Sequence, residues 1–142
     1  MKLNQFGETV RLAVLGLGGR GITQLDVLLD MPDVAVTAFC DFHADRMEAG
    51  QERVFQVRNV RPFGSTNPSE CIHRDDVDAV IIMTGWETHI PLCIEALRAG
   101  KRAAMEVGGA TSVEECWQLV RPARKPAYLS CFWKTAATAK PS

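Results

Sequence analysis

Short apolar runs alternate along this chain with longer stretches in which apolar residues recur every three or four positions. Val10–Leu15 (VRLAVL) reads as a strand, and Arg20–Leu29 has the helical spacing Ile22, Leu25, Leu28, Leu29 before Pro32 stops it. Val34–Cys40 (VAVTAFC), rich in β-branched and aromatic residues, predicts a second strand. Ala44–Val57 predicts a second helix with Gly50 as a weak spot. Asn59–Pro68, with two prolines and a glycine, predicts a loop, and Ser69–Asp76 a short helix and turn. Val77–Thr84 predicts a strand and Thr88–Ala99 a helix, with Pro91 tolerated as a first-turn residue and Gly100 ending it. Arg102–Val107 predicts a further strand. Thr111-Ser-Val-Glu114 has the form of a capping box, opening a helix to about Val120 that Arg121-Pro122 ends. Strands and helices that alternate in this way build an α/β domain, a doubly wound parallel sheet with helices on both faces.

The 142 residues suit one domain, and a net charge of −1 gives no reason to expect a nucleic-acid or anionic-membrane partner. No apolar run approaches the roughly 18 residues of a spanning helix, and MKLNQFGETV has no apolar signal region. Cysteines at 40, 71, 93, 116 and 131 are odd in number and form no C-x-x-C pair. They read as reduced, mostly buried thiols of a cytoplasmic protein, and no His/Cys cluster has metal-ligand spacing.

The glycine run Gly16-Leu17-Gly18-Gly19-Arg20-Gly21 is G-x-G-x-x-G. On its own this triplet is common; here it leaves a predicted strand and opens a predicted helix, and Asp41 stands 20 residues beyond Gly21 at the end of the next strand. Strand, glycine loop, helix and acid together form the dinucleotide fingerprint of a Rossmann-type domain. Gly16 allows the tight turn, Gly18 lets the backbone approach a pyrophosphate, and Gly21 lets the helix pack closely. The unpaired N–H groups and positive dipole end of that helix then face the phosphates. Asp41 would accept hydrogen bonds from the adenosine ribose hydroxyls and repel a 2′-phosphate, so NAD is expected over NADP; His43 and Arg46 nearby soften that preference. The competing readings are glycines that serve packing alone and an aspartate that caps a helix.

A second constellation, Thr84-Gly-Trp86-Glu-Thr-His89, follows the Val77–Thr84 strand and so falls at the carboxyl edge where such sheets bind ligands. Trp86 is a candidate to stack on a cofactor ring, or else packs under the next helix. His89 is a candidate hydrogen-bonding group for cofactor or substrate, or else caps helix backbone. Glu106 ends the fourth predicted long strand at the same edge, as a partner for a nicotinamide ribose or carboxamide, or as a solvated charge.

VRLAVLGLGGRGITQLDVLLDMPDVAVTAFCDFHADR and DVDAVIIMTGWETHIPLCIEALRAGKRAAMEV resemble the N-terminal half of the Gfo/Idh/MocA oxidoreductases, over residues 10 to about 121. The resemblance implies an NAD(P)-binding domain, a sugar-type substrate, and a following α/β domain that supplies most of the substrate site and the oligomer interface. After the strand-ending glutamate the family usually carries Glu-Lys-Pro, whose lysine assists proton transfer; this chain has Glu106-Val107-Gly108-Gly109. The resemblance therefore yields no catalytic residue here. MEVGGATSVEECWQLV and WETH are closer to a branch of NAD-dependent glycosidases such as α-N-acetylgalactosaminidases, in which transient sugar oxidation permits elimination. A sugar oxidoreductase, a redox-assisted glycosidase and a non-catalytic dinucleotide-binding module stay open as readings of the parent.

Residues 122–142 fit neither pattern: no acid follows Glu115, while Arg121, Arg124, Lys125, Lys134 and Lys140 are basic. Read two bases on, codons for this stretch force Leu from Phe132-Trp133 and Glu from Trp133-Lys134, and permit Asn next, a Leu-Glu-Asn core that the glycosidase branch carries. The expectation is a lead of residues 1–9, a dinucleotide-binding domain over 10–121, and a frameshifted tail over 122–142, against the alternative of a divergent natural tail. Such a chain would be truncated before its catalytic domain, inactive by itself, and open to self-association along an uncovered sheet edge.

Overall fold

The computed structural model describes residues 9–123. Five strands and five helices alternate: β1 Val10–Leu15, α1 Gly19–Asp30, β2 Val34–Cys40, α2 Ala44–Arg58, β3 Phe63–Ser65, α3 Pro68–Ile72, β4 Ala79–Ile82, α4 Trp86–Arg98, β5 Arg102–Met105 and α5 Val113–Ala123. The strands form one sheet in the order β3-β2-β1-β4-β5. Every pairing is parallel, with Leu12–Leu15 of β1 facing Ala79–Ile82 of β4 on one side and Val10–Leu15 facing Val34–Cys40 of β2 on the other. The chain moves outward from β1 through β2 to β3, then returns to lay β4 on the other side of β1. The order therefore reverses between β1 and β4, and a crevice opens at their carboxyl ends.

Alternation along the strands divides the core in two. Leu12, Val14, Val36 and Phe39 face α1 and α2, where Leu25, Leu28, Leu29 and Val54 meet them. Ala13, Leu15, Ala38 and Cys40 face the opposite layer, with Cys71 and Ile72 of α3 and Ile90, Cys93, Ala96 and Leu97 of α4. Both faces are covered, so the central strand reads as one apolar run. Each large side chain withdrawn from water here, Phe39 or Leu15 for example, contributes about 1.5–3 kcal/mol.

The structure departs from the periodicity in several places. The predicted loop over 59–68 contains the short edge strand β3, paired with Ala38–Cys40; three residues are too few to show an alternation. Helix α4 begins at Trp86, two residues ahead of Thr88, so Pro91 sits sixth in the helix and within its second turn. The Thr111–Glu114 box is shifted by one: Ser112 Oγ accepts from the Glu115 N–H at 3.2 Å, and Glu115 Oε2 accepts from the Thr111 N–H at 2.6 Å. Helix α5 runs through Pro122 to Ala123. Gly50 is a close-approach site: a methyl there would lie 2.8 Å from Leu17 Cδ1. Among the described residues no helix is long and apolar enough to cross a membrane, and no group of three His, Cys, Asp or Glu is placed to hold a metal ion. Of the tail read as frameshifted, residues 122–142, only Pro122 and Ala123 are described, as the end of α5; the rest lies outside the described residues.

Candidate functional site

The site grows from the turn between β1 and α1. Gly16 has φ +94°, a left-handed conformation that costs an L side chain strain, and its Cβ would stand 2.7 Å from the Met83 carbonyl oxygen. A Cβ at Gly21 would stand 2.1 Å from the Gly16 carbonyl oxygen. These two glycines are sterically required, the first by the turn and the second by the approach of α1 to it. Leu17 tucks its side chain into the core at 1% exposure. Gly18 caps α1 in extended backbone with no side-chain cap, and no acidic side chain occupies the first turn. The N–H groups of that turn are thus left to whatever lies beyond them.

Asp41, 8% exposed, joins the glycine turn to the end of β2. Its Oδ2 accepts the Leu17 N–H at 2.7 Å and its Oδ1 accepts the His43 N–H at 2.8 Å. A carboxylate offers about four acceptor positions, so two bonds hold the group in place and leave it free to accept more. A cavity of about 260 Å³ opens beside it. The glycine turn contributes Gly16 and Gly18, the β2 end Cys40–His43, α2 Arg46, α3 Pro68, and the β4–α4 junction Thr84, Gly85 and Thr88. Thr84 donates its hydroxyl to Thr88 Oγ1 at 2.7 Å, and Thr88 donates to the Gly85 carbonyl at 2.8 Å, which stiffens that wall.

The other predicted residues are distributed around this cavity. Arg20 and Glu106 meet on the β5 side of the glycine turn, where Arg20 Nε donates to Glu106 Oε1 at 3.0 Å. Trp86 is 66% exposed and rests on Gly108, whose Cβ position lies 2.7 Å from Trp86 Cε2; it does not line the cavity. His89 is buried at 1% exposure and donates from Nε2 to the Thr84 carbonyl at 2.9 Å. A carbonyl can only accept, so the ring proton sits on Nε2 and Nδ1 is a buried acceptor that finds no partner among the described residues. His89 thus braces the cavity wall from beneath. Sequence reasoning missed Phe42 and Pro68. Phe42, 73% exposed beside Asp41, carries a signal in its position; Pro68 carries none, because the unrecognised strand β3 delivers it.

A dinucleotide fits these features on steric and electrostatic grounds. A Cβ at Gly18 would meet only Arg46 Nη1, at 3.9 Å, and one at Gly19 nothing within 4 Å, so backbone is open to an approaching phosphate where the uncapped helix turn points. The anchored Asp41 carboxylate stands at the cavity end of β2, where a ribose diol would need acceptors.

Known proteins are similar to this chain over most of its length. Residues 10–129 match the model of the Gfo/Idh/MocA oxidoreductase family, NAD-binding Rossmann fold. An α-N-acetylgalactosaminidase of Bacteroides fragilis is 38% identical over 119 residues, covering 82% of this chain and 28% of that protein. A glycosyl hydrolase family 109 protein of Saccharopolyspora erythraea is 36% identical over 122 residues, covering 83% of this chain and 27% of that protein. The chain therefore spans little more than a quarter of the length of these relatives. Among solved structures, a mutant 3-ketoreductase of Actinomadura kijaniata, in complex with TDP-benzene and NADP, superposes with a TM-score of 0.77 at 27% identity, over 88% of this chain and 38% of that one.

Proposed function

From the premise that this chain belongs to the Gfo/Idh/MocA oxidoreductase family and carries its NAD-binding Rossmann domain, we propose that it binds NAD in preference to NADP across the β1–β4 crevice. In this reading the adenosine lies in the cavity beside Phe42 and Pro68, its ribose hydroxyls donating to Asp41. The pyrophosphate lies over Gly18, Gly19 and the first turn of α1. The nicotinamide end points toward Thr84, Arg20 and Glu106, and the Arg20–Glu106 ion pair opens so that Glu106 can accept from the ribose or carboxamide. Trp86 borders that end from its seat on Gly108. When bound, the nicotinamide supplies a hydride acceptor; the residues of this chain hold it, orient it and set which dinucleotide enters.

The carrying observation is Asp41. Its two backbone hydrogen bonds fix a negative charge at the cavity end of β2, where it favours a 2′-hydroxyl and disfavours a 2′-phosphate. Arg46 and His43 on the same rim limit the discrimination rather than reverse it. Hydrogen–deuterium exchange of the full chain with saturating NAD tests the placement. Slowed exchange is expected over residues 17–22 and 84–88, with none at the opposite sheet edge around Asp33 and Asp78. Protection elsewhere, with the glycine turn unaffected, would sink it.

For the parent protein we propose action on a sugar, on the side of the glycosidases. The support is the 36–38% identity to proteins named as glycosidases and Val107-Gly108 in place of the lysine-proline of the oxidoreductase pattern. A sugar oxidoreductase is the second reading, favoured by the likeness to a 3-ketoreductase. The free side of β5, paired only to β4 among the described residues, is where a second copy would add. Concentration-dependent sedimentation, lost when Ala103, whose N–H faces away from β4, becomes proline, is the outcome expected of that contact.

A further inference from the structure

The amino half of β2 lies open on one side. Edge strand β3 pairs only with Ala38–Cys40, so among the described residues no strand flanks Val34–Thr37 on the side away from β1. A cavity of about 450 Å³ takes that place, at the amino end of the sheet and far from the glycine turn at its carboxyl end. Its floor is apolar and includes the buried core residues Leu29, Val36 and Val54. Val60 and Phe63 on the rim present apolar surface to water. Three guanidiniums stand on the same rim, those of Arg58, Arg61 and Arg74.

Two of these cations are matched. Arg61 Nη2 donates to Glu52 Oε2 at 2.8 Å, and Arg74 grips both oxygens of Asp76, at 2.7 and 2.9 Å. The Arg74 guanidinium also lies over the Phe63 ring, 4.3 Å from its centre, which fixes that wall. Arg58 is held by carbonyls instead: its Nη2 donates to the Leu29 and Met31 oxygens, both at 2.8 Å. Those two bonds commit both Nη2 hydrogens and set the plane of the group, leaving Nε and Nη1 as donors. No ion pair joins Arg58 to a carboxylate among the described residues. A guanidinium keeps its charge at any ordinary pH, so the rim carries one positive charge beyond its matched pairs. We propose that this cavity is a second ligand site, for a small monocarboxylic acid with an aromatic or branched apolar body. The carboxylate accepts from Arg58, and the body lies on Leu29, Val36 and Val54.

Charge and shape narrow the class. The volume falls within the range of small-molecule pockets. A neutral apolar body would cover Val60 and Phe63 and leave the Arg58 charge poorly hydrated and unmatched. A dianion would hold its second charge against Asp76, which lines the same cavity. One carboxylate on an apolar body meets both conditions, and a hydrogen bond to a charged partner is the strong kind. The site shares no lining residue with the cavity beside Asp41, so it does not rest on the dinucleotide reading.

The probe for a test is 2-naphthoate, with 2-naphthylmethanol as its uncharged counterpart. Each is titrated into the full nitrogen-15-labelled chain, with and without NAD, and amide chemical shifts are followed. One saturable site is expected, with a dissociation constant below about 1 mM and shifts centred on residues 34–37, 58–63 and 74–76 in both conditions. The acid should bind at least about tenfold more tightly than the alcohol. Arg58→Gln should bring the acid down to the affinity of the alcohol. Because Arg58 also ties α2 to the end of α1, Val60→Asp is the second variant: it changes an exposed rim residue and sets a like charge beside the carboxylate. It should weaken the acid at least about threefold and the alcohol by less. Equal affinity of acid and alcohol, or binding of the acid indifferent to both substitutions, would overturn the proposal. So would shifts centred on residues 16–18 and 41–46, or no saturation by about 10 mM. Failure of NAD to bind would strike the dinucleotide reading alone, since the titration without it stands by itself.

Discussion

Single contacts decide most at the glycine turn and at the foot of the sheet. Gly21→Ala places a methyl 2.1 Å from the Gly16 carbonyl oxygen, a contact that rigid backbone cannot relieve. A loss of about 2–4 kcal/mol is expected, measured as a drop in the denaturant midpoint; a variant within 0.5 kcal/mol of wild type, at the level of a neutral surface change, would mean that α1 can move away. Gly19→Ala, with nothing within 4 Å, should fold normally and lose affinity only. At the opposite edge Arg11 clamps Asp78 from both nitrogens, at 3.0 and 2.7 Å. These bonds hold the Asp78 carboxyl below the ordinary carboxylate range. The stability this provides is therefore complete above the unfolded-state value near pH 4 and is lost as pH falls through the lower, folded one. Both side chains are about 40% exposed, so Asp78→Asn should cost only about 0.5–1 kcal/mol at pH 7. The difference from wild type should shrink steadily in melts as pH falls below about 4; a constant difference at every pH would assign the effect to packing.

Helix α4 carries the least expected residue. Pro91 in its second turn has no N–H to offer the Glu87 carbonyl, and its ring is exposed. Pro91→Ala should stabilise the fold by about 0.5–1.5 kcal/mol, read as a higher melting midpoint, and a lower midpoint would mean that the proline shapes the α4 approach to β4. The longer elements were legible because burial and periodicity agree in them: β1 and β2 have the predicted bounds, and α1 and α2 begin or end within about a residue of them. The short pieces were not. Strand β3 has three residues, and its identity comes from pairing with Ala38–Cys40, a contact far away in sequence. The α4 start was misread because Trp86 looks apolar and loop-like at once, whereas Gly85 supplies the extended cap residue that opens the helix.

For the whole molecule, the glycine turn and Asp41 were legible because a fingerprint fixes residue types at set spacings, whereas the cavity wall was not. Phe42, Pro68 and Thr88 converge from three junctions, and only the sheet order brings them together. His89 and Trp86, candidates for cofactor contact, sit beneath and beside the cavity, a placement that comes from how α4 packs on β4 and on Gly108 and not from spacing along the chain. A ligand that binds only the folded state adds stability in proportion to its occupancy. NAD at 100 times its dissociation constant should stabilise the chain by about 2.7 kcal/mol, read as an upward shift in melting temperature that NADP at the same concentration produces more weakly.

Calorimetric titration of the full chain and of Asp41→Asn with NAD and NADP bears most directly on the central claim. The account predicts one saturable NAD site, weaker binding of NADP, and in the variant an NAD affinity about tenfold lower, corresponding to about 1.4 kcal/mol for hydrogen bonds to a charged acceptor, with NADP gaining relative to NAD. Equal affinity for both dinucleotides, unchanged by the substitution, would contradict it and leave Asp41 as a brace for the Leu17 turn alone.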